Sequence, residues 1–337
     1  MAKRTNHKTG LIVLLVLITI IAILILLLYL TWRQNKSMDP EQIGSIPSEN
    51  GTIELCFSKI GNCSIRLITI LKDAQAIKTA LYDLDDKELI AILKSKNADV
   101  LVDEDNYFGL GKNISGAGLM HNKFWIIYNS SGRDYLVTGS MNPTYNDISK
   151  NDNNLLIIES EYLMRNYEEE FSELKKSSPD KPTRFQKIMF NGNTLENYFC
   201  PEDDCEGKVL SVLRSAKHSV YFMTFSFTSD PIGDFLISKK SLLEIRGVFD
   251  ESQVKSNKEF SEYNKMVAAG MDVRIDGNPA KLHHKVFIID NSTVVTGSYN
   301  PTGAGTGKND ENILILHDKE IANRFVDEFE RVWSMAG

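Results

Sequence analysis

The alternation of apolar and polar positions divides the chain into an apolar amino-terminal segment, a polar segment and a long remainder. Residues 11–30 form an apolar run that only Thr19 interrupts, and about 20 such residues make a helix long enough to cross a bilayer. A cleaved signal peptide has a shorter apolar core and a small-residue cleavage site, which residues 26–36 lack. The pattern therefore predicts an uncleaved transmembrane anchor within residues 1–32.

The polar segment and the remainder predict a linker followed by an α/β body. Residues 33–52 contain prolines and glycines among polar residues and show no apolar period, which is typical of a linker. From residue 53 onward, short apolar stretches typical of strands alternate with amphipathic stretches typical of helices. This alternation predicts an α/β fold in which helices flank a mixed sheet.

The predicted strands and helices occur twice. The segments "GSMNPTYNDISKNDNN" and "GSYNPTGAGTGKNDEN" agree at 9 of 16 positions. Each copy ends in a predicted amphipathic helix, whose stripe residues are Leu163, Tyr167, Phe171 and Leu174 in one copy and Ile321, Phe325, Phe329 and Val332 in the other. The sequence thus predicts repeat 1 at residues 53–176, a connector at residues 177–195 and repeat 2 at residues 196–337.

Each repeat places a histidine and a lysine two residues apart at the start of an apolar stretch, "HNKFWIIY" from His121 and "HHKVFIID" from His283. Residues two apart on a strand project to the same face, so Lys123 and Lys285 lie beside their histidines. One imidazole can attack a phosphodiester and a second can protonate the leaving oxygen, while lysines stabilise charge on the phosphate oxygens. This set requires no metal and no cofactor.

The segment that follows each of these motifs adds candidate supporting residues. Asn142 and Asn300 are candidate amide donors to a phosphate. Ser140 and Ser298 each follow a glycine, and such a small pair would let the backbone approach a phosphate closely.

The pattern HxKxxxxD followed by GSxN in repeat 2 resembles the phospholipase D superfamily. It is most similar to the small bacterial nuclease branch and to cardiolipin hydrolase-like members, and the resemblance covers most of residues 53–335. It implies two fused α/β repeats related by a pseudo-two-fold axis, with both motifs meeting in one active site.

Repeat 1 departs from that family pattern. Tyr128 stands where repeat 2 has Asp290, and Asn153 stands where it has Glu311. The resemblance implies that an acidic residue hydrogen-bonds each catalytic histidine. If Glu311 serves its own repeat, with Asp290 in support, the histidine of repeat 2 is the expected nucleophile and that of repeat 1 the leaving-group acid.

Charge and cysteine content bear on location and partners. The first 32 residues contain no acid, so the remainder carries 45 acidic and 35 basic residues, which argues against broad coating of duplex nucleic acid. Lys3, Arg4 and Lys8 outnumber Arg33 and Lys36 across the apolar run. This distribution favours a cytoplasmic amino terminus and an extracytoplasmic body.

The four cysteines form two close pairs, Cys56 with Cys63 and Cys200 with Cys205. Outside the cytoplasm each pair would close a local disulfide. A shared zinc site is an alternative, although the spacings match no common zinc template. Free buried thiols are the alternative for a cytosolic body.

Together these patterns favour a membrane-anchored, metal-independent phosphodiesterase, with DNA or RNA favoured as the substrate by the resemblance to the nuclease branch. Tyr145, Phe225, Phe227 and Tyr299 are candidates for base stacking, although core packing explains the two phenylalanines more simply. The alternatives are a phospholipase D or cardiolipin hydrolase acting on membrane phospholipids, and a noncatalytic nucleic-acid- or lipid-binding protein. The sequence indicates no oligomeric state.

Overall fold

The computed structural model describes residues 46–178 and 180–337 of the chain. Over these residues the chain forms two mixed β-sheets with helices packed on them, which confirms the predicted α/β class. The predicted anchor at residues 11–30 lies outside the described residues. None of the helices within the described ranges combines the length and the apolar character that a membrane span requires.

Repeat 1 forms a seven-stranded sheet. The first strand of the chain, β1 (Ser48–Glu49), belongs to the other sheet. The seven strands of this sheet are β2 (Ile53–Phe57), β3 (Ala76–Leu81), β4 (Asp99–Asp103), β5 (Lys112–Ile114), β6 (Lys123–Ser130), β7 (Arg133–Gly139) and β8 (Asn154–Ile158). The helices are α1 (Cys63–Asp73), α2 (Lys87–Ser95), α3 (Tyr145–Ser149) and α4 (Glu161–Lys176). The sheet order is β2-β8-β7-β6-β3-β4-β5.

Repeat 2 forms a nine-stranded sheet. One of its nine strands is β1, and the others are β9 (Lys187–Phe190), β10 (Asn193–Cys200), β11 (Ser219–Thr224), β12 (Glu244–Phe249), β13 (Asp272–Ile275), β14 (Lys285–Ile289), β15 (Thr293–Gly297) and β16 (Glu311–Leu316). Its helices are α5 (Cys205–Arg214), α6 (Asp230–Lys239), α7 (Glu251–Ser256), α8 (Glu262–Ala268), α9 (Gly303–Gly307) and α10 (Lys319–Met335).

The two sheets share one topology. The order β10-β16-β15-β14-β11-β12-β13 in repeat 2 reproduces the order of repeat 1 strand for strand, as the sequence repeat predicts. The edge of the larger sheet is extended by β9 and β1, which pair in parallel. Because β1 lies in the predicted linker and β9 in the predicted connector, parts of both segments belong to the sheet of repeat 2.

One apolar core joins the two repeats. The helices α4 and α10 each close a repeat, and both turn their predicted stripes into this core. Tyr167 and Phe171 from α4 and Phe325 and Phe329 from α10 are almost fully buried there. Burying one such side chain contributes about 1.5–3 kcal/mol. The repeats therefore share a core, which stabilises the boundary between them.

Both cysteine pairs are disulfide bonded. Cys56 of β2 is joined to Cys63 at the start of α1, and Cys200 of β10 is joined to Cys205 at the start of α5. Each bond thus connects the same strand and helix in the two repeats, and none of these four cysteines is a free thiol.

Candidate active site

The two HxK motifs meet at the boundary between the repeats. His121 precedes β6 and donates its backbone N–H to the carbonyl oxygen of Asp310 at 3.0 Å. His283 precedes β14 and donates its backbone N–H to the carbonyl oxygen of Asp152 at 2.9 Å. The residue after each of these carbonyl groups is therefore brought to the histidine of the opposite repeat.

Each histidine ring is consequently bound by a side chain from the other repeat. Glu311 Oε2 lies 2.8 Å from His121 Nδ1, and Asn153 Oδ1 lies 2.9 Å from His283 Nδ1. The assumption that Glu311 serves the histidine of its own repeat is therefore wrong. The reason is geometric, because β8 and β16 start at the boundary, and Asn153 just before β8 and Glu311 at the start of β16 reach across it.

These contacts define how both rings face the cleft. An oxygen acceptor at Nδ1 holds the proton on that nitrogen, which leaves Nε2 of each ring for chemistry. Tyr82 packs against His121 and Phe225 against His283, with ring centroids 4.7 Å apart in both pairs. The two histidines thus have equivalent aromatic supports and differ in their hydrogen-bond partners.

Burial determines the charge state of the histidines. Burial lowers the pKa of His121 to about 4, although the Glu311 carboxylate opposes this effect. Burial, with Lys285 and Lys123 nearby, lowers the pKa of His283 well below its usual value. Both rings are therefore neutral at pH 7 before an anion enters, as a nucleophile and a base require.

The two lysines supply buried positive charge. Lys123 and Lys285 are 1% and 3% exposed, and each Nζ donates to the backbone carbonyl of its own histidine, at 2.6 and 2.8 Å. Burial lowers the pKa of Lys123 to about 8 and that of Lys285 well below its usual value. Neither lysine forms an ion pair with a carboxylate among the described residues. A phosphate dianion or diester is the kind of group that such unpaired cations bind.

The Gly-Ser pairs hold the starts of β8 and β16 next to the strands that end at these glycines. Ser140 Oγ donates to Asn153 Oδ1 and accepts from the Asn154 backbone N–H, both at 3.0 Å, and Ser298 Oγ accepts from the Asn312 backbone N–H at 2.9 Å. A Cβ at the glycine before each serine would meet a backbone carbonyl oxygen of the next strand at 2.3 or 2.2 Å. The glycines thus permit strand packing, and their predicted role in admitting a phosphate is not needed to explain them.

The two asparagines of the GSxN segments line the cleft. Asn142 Nδ2 donates one of its two hydrogens to Asp147 Oδ2 at 2.8 Å, which leaves the second for the phosphate that the sequence predicts it to bind. The Oδ1 atoms of Asn142 and Asn300 are buried without a hydrogen-bond partner. These oxygens can accept a hydrogen bond from a bound molecule.

Asp290 does not reach the site. It lies at the opposite end of β14 from His283, where its carboxylate accepts backbone N–H groups of Lys217, His218 and Ser219 at 2.7–2.9 Å. The predicted support of the catalytic histidine by Asp290 is therefore wrong, because this aspartate instead closes the entry to β11. The substitution by Tyr128 in repeat 1 consequently removes no carboxylate from the site.

Three aspartates that the sequence analysis assigned no role contribute to the site. Asp103 accepts the Met120 backbone N–H at 2.7 Å, and Asp250 accepts that of Leu282 at 3.0 Å, so each anchors the residue before a catalytic histidine. Asp147 Oδ2 lies 3.4 Å from His283 Nδ1. The first two were visible as acids ending matched strands, whereas Asp147 has no acidic counterpart in repeat 2.

The histidines open into a cleft of about 720 Å³. Phe225 lines it, Phe227 lies in the core, Tyr299 is buried and donates or accepts at Thr306, and Tyr145 is exposed. Core packing thus accounts for Phe227 and Tyr299. Within the described ranges, no group of three or more histidine, cysteine or acidic side chains is arranged to hold a metal ion.

Comparison with known proteins agrees with this architecture. Residues 59–175 and 209–333 each match the family model described as cardiolipin synthase, PLD-like domain. The phosphatidylserine synthase of Haemophilus influenzae has a TM-score of 0.63 at 11% identity, over 85% of this chain and 87% of that one. Nuc of Salmonella typhimurium, a phospholipase D family member, has 31% identity and a TM-score of 0.40 over 43% of this chain and 97% of that one.

The curated relatives are similar over one part of the chain. The phospholipase D of Rickettsia conorii is 31% identical over 132 residues, which are 39% of this chain and 65% of that protein. The human mitochondrial cardiolipin hydrolase is 33% identical over 127 residues, which are 37% of this chain and 50% of that protein. Since the family model matches both repeats and most of the chain, the chain belongs to the family of PLD-like domains described for cardiolipin synthase.

Proposed function

We propose that this protein hydrolyses phosphodiesters through a covalent phosphohistidine intermediate. The observation that carries the proposal is the pair of histidines with Nδ1 occupied and Nε2 free, which line one cleft above two buried lysines. A noncatalytic binding protein would not need both neutral imidazoles in this arrangement. The lysine cations hold the nonbridging phosphate oxygens and stabilise the charge on them in the transition state.

The structure supports His121 as the nucleophile. A histidine that attacks phosphorus acquires a positive charge, and the direct bond to the Glu311 carboxylate stabilises that charge. His283 bonds to a neutral amide oxygen at the same position. This assignment reverses the expectation from the sequence, because the acid on which that expectation rested belongs to His121.

The reaction then runs in two balanced steps. The bound phosphodiester anion stabilises the imidazolium form of His283, so this ring takes up a proton from solvent on Nε2 when the substrate binds. His121 Nε2 then attacks phosphorus, the bond from phosphorus to one ester oxygen breaks, and His283 transfers this proton from Nε2 to the departing alkoxide. In the second step a water molecule gives a proton to His283 Nε2 and attacks phosphorus, and the bond between phosphorus and His121 breaks. The products are an alcohol and a phosphomonoester, and His283 regains the proton that it gave.

For the substrate we propose a phospholipid. Asp83 and Asp85 line the cleft wall of repeat 1, where the aligned residues of repeat 2 are Ser226 and Thr228. A nucleic-acid strand would bring neighbouring phosphates beside these carboxylates, whereas a phospholipid diester places a neutral or cationic headgroup there. Relatives described as phospholipase D and as cardiolipin hydrolase point in the same direction.

Hydrolysis of DNA or RNA is the second candidate. Lys150 and Lys281 line the cleft, and Lys281 Nζ lies 5.3 Å from the ring centre of Phe225. A basic surface next to an aromatic ring suits a single strand. The test uses the full-length chain in detergent micelles with phosphatidylcholine, cardiolipin, single-stranded DNA and RNA side by side. We expect turnover of a phospholipid that His121→Asn nearly abolishes. Cleavage of nucleic acid alone would replace our substrate with the second candidate, and no cleavage of any diester would contradict the catalytic proposal.

For location we propose a single-pass membrane protein whose body is extracytoplasmic. The apolar run at residues 11–30 and the basic residues before it support the anchor and its orientation, and the two disulfides support an oxidising compartment. Labelling of cysteines in intact cells with a membrane-impermeant reagent tests this. We expect the cysteines to be labelled only after reduction. Four free thiols in a protein that external protease cannot cleave would place the body in the cytoplasm.

A further inference from the structure

The two repeats carry an acidic residue at different positions of the same segment. When the GSxN segments are aligned, Asn153 corresponds to Glu311 and Asp147 corresponds to Gly305. Repeat 1 therefore lacks the acid at the first position and has one at the second, and repeat 2 shows the reverse. At these two positions, each repeat therefore has one carboxylate.

The acid of repeat 1 faces the histidine that lacks a direct carboxylate partner. Asp147 Oδ2 lies 3.4 Å from His283 Nδ1, and Asp147 is 3% exposed. Within the described parts of the chain, no other carboxylate oxygen lies within 4 Å of a ring nitrogen of His283. The contact is longer than a direct hydrogen bond, so Asp147 acts mainly through its charge.

A set of donors holds the Asp147 carboxylate in this place. The backbone N–H and the Nδ2 of Asn142 both donate to Oδ2, at 2.7 and 2.8 Å, and Asn151 Nδ2 donates to Oδ1. Asn153 Nδ2 donates to the Asp147 carbonyl oxygen at 3.2 Å, which turns Asn153 Oδ1 toward His283. Asp147 and Asn153 are thus one connected unit.

Repeat 2 has no room for a side chain at Gly305, the position that corresponds to Asp147. A Cβ at Gly305 would lie 2.3 Å from the Asn300 carbonyl oxygen, so a side chain at this position would force the α9 segment to move. An acid in repeat 2 can therefore stand at position 311 and not at position 305. Repeat 1 has space for a side chain at position 147, and the carboxylate there lies beside His283.

We propose that Asp147 is the positioning residue of His283 and supplies the negative charge that Glu311 supplies to His121. The inference rests on the proposed function, in which His283 must hold a proton on Nε2 to release the alkoxide. Asn153 orients the ring through Nδ1, and Asp147 stabilises the imidazolium form of that oriented ring. Glu311 both orients His121 and carries the charge beside it, whereas for His283 these two functions are divided between Asn153 and Asp147. The negative charge therefore stabilises the His283 imidazolium less than that of His121, as suits an acid and base rather than a nucleophile.

The test compares Asp147→Asn, Asn153→Glu and the double variant in the full-length chain. With a phospholipid, we expect Asp147→Asn to lower turnover by about 10²-fold. Adding Asn153→Glu to it recreates the arrangement of repeat 2 and should restore at least about 10-fold of this loss. Alone, Asn153→Glu places a second carboxylate beside Asp147 and should give no gain.

Two further measurements separate a charge effect from a folding defect. The burst of p-nitrophenolate from a p-nitrophenyl phosphodiester needs no proton from His283, so it should persist in Asp147→Asn within a few fold, whereas misfolding would remove it. The NMR titration of the His283 ring with inorganic phosphate bound should show a lower pKa in Asp147→Asn even if no substrate is found. An unchanged titration, or loss of both reactions without rescue by Asn153→Glu, would overturn the role of Asp147. An inactive parent with a shifted titration would overturn only the proposed function.

Discussion

The Glu311 carboxylate of repeat 2 bonds to His121 of repeat 1 at 2.8 Å and not to the histidine of its own repeat. The corresponding contact in the other direction joins Asn153 of repeat 1 to His283 of repeat 2. Each histidine ring therefore takes its Nδ1 hydrogen-bond partner from the opposite repeat. The crossing of these two contacts gives His121 a charged partner and His283 a neutral one, so the two sides of the site are unequal.

The covalent intermediate should form on His121. With an activated p-nitrophenyl diester, His283→Ala should accumulate the phosphoenzyme, because the leaving group needs no acid while the attacking water has lost its base. Acid quenching and peptide mapping identify the modified residue. If peptide mapping of the enzyme without substitutions finds the phosphate on His283, the roles of the two histidines are reversed, and the single shared site is unaffected.

The pH dependence of kcat/KM should reflect the free enzyme's His121 and Lys123. Burial lowers the pKa of His121 to about 4, so its nucleophilic neutral form predominates above that pH. Burial lowers the pKa of Lys123 to about 8, so the cation that binds phosphate is lost above pH 8 and kcat/KM falls. In Lys123→Arg, whatever the absolute rate, this alkaline decline should move to higher pH, because arginine stays charged. If the alkaline decline of kcat/KM stays at the same pH in Lys123→Arg, a group other than Lys123 causes it.

Activity should survive removal of divalent metal ions. Lys123 and Lys285 provide the positive charge at the phosphate, and the described residues contain no ligand cluster for a metal. We expect enzyme dialysed against EDTA to keep its rate, with metal content measured by mass spectrometry. A rate that returns only on addition of a divalent cation would contradict the mechanism.

Replacement of Glu170 by glutamine should change how stability depends on pH. Burial raises the pKa of Glu170 well above its usual value, so the folded protein keeps a proton that the unfolded chain loses near pH 4.5. Stability therefore falls as pH rises between those two pKa values, by up to about 1.4 kcal/mol per pH unit. Glutamine keeps the hydrogen bond from Asn122 and should remove this slope. Urea unfolding at pH 4 and pH 8 measures the difference.

The equivalent glutamate of repeat 2 provides the matched control. Burial raises the pKa of Glu328, but Arg331 and His284 outweigh this effect and hold it below its usual value. Its charge thus stabilises the folded protein above the pKa of the unfolded chain, and this contribution is lost on acidification. Glu328→Gln should therefore destabilise the protein at pH 7, the opposite of Glu170→Gln. The same sign for both variants would refute the assigned charge states.

Gly139→Ala should destabilise the protein by about 2–4 kcal/mol. Gly139 has φ +150°, and a Cβ there would meet the Asn154 carbonyl oxygen at 2.3 Å. Gly132 is the control, because it has φ +83° and open space around it, so alanine there meets only backbone strain. Thermal unfolding measures both variants, and an equal loss of stability would show that packing against β8 is not what requires the glycine.

Local patterns along the chain were sufficient to predict the repeat, the α/β class and the pairs His121 with Lys123 and His283 with Lys285. These features are local, because apolar periodicity depends on neighbours along the chain and a spacing of two places side chains on one face of a strand. The apolar stripes of α4 and α10 were predictable for the same reason. Spacing also paired the cysteines, since each pair is joined within a short loop.

The side chain that binds each histidine ring could not be predicted from such local patterns, because it depends on how the two repeats pack. Glu311 and His121 are 190 positions apart, and their contact depends on how two sheets pack across a shared core rather than on any pattern along one strand. Asp290 is kept from the site by the length of β14, whereas the packing of the repeats brings Asp147 Oδ2 to 3.4 Å from His283 Nδ1, a contact that no pattern along the chain indicates. A repeat in the sequence shows that two halves exist, but the asymmetry of their chemistry arises where the halves touch.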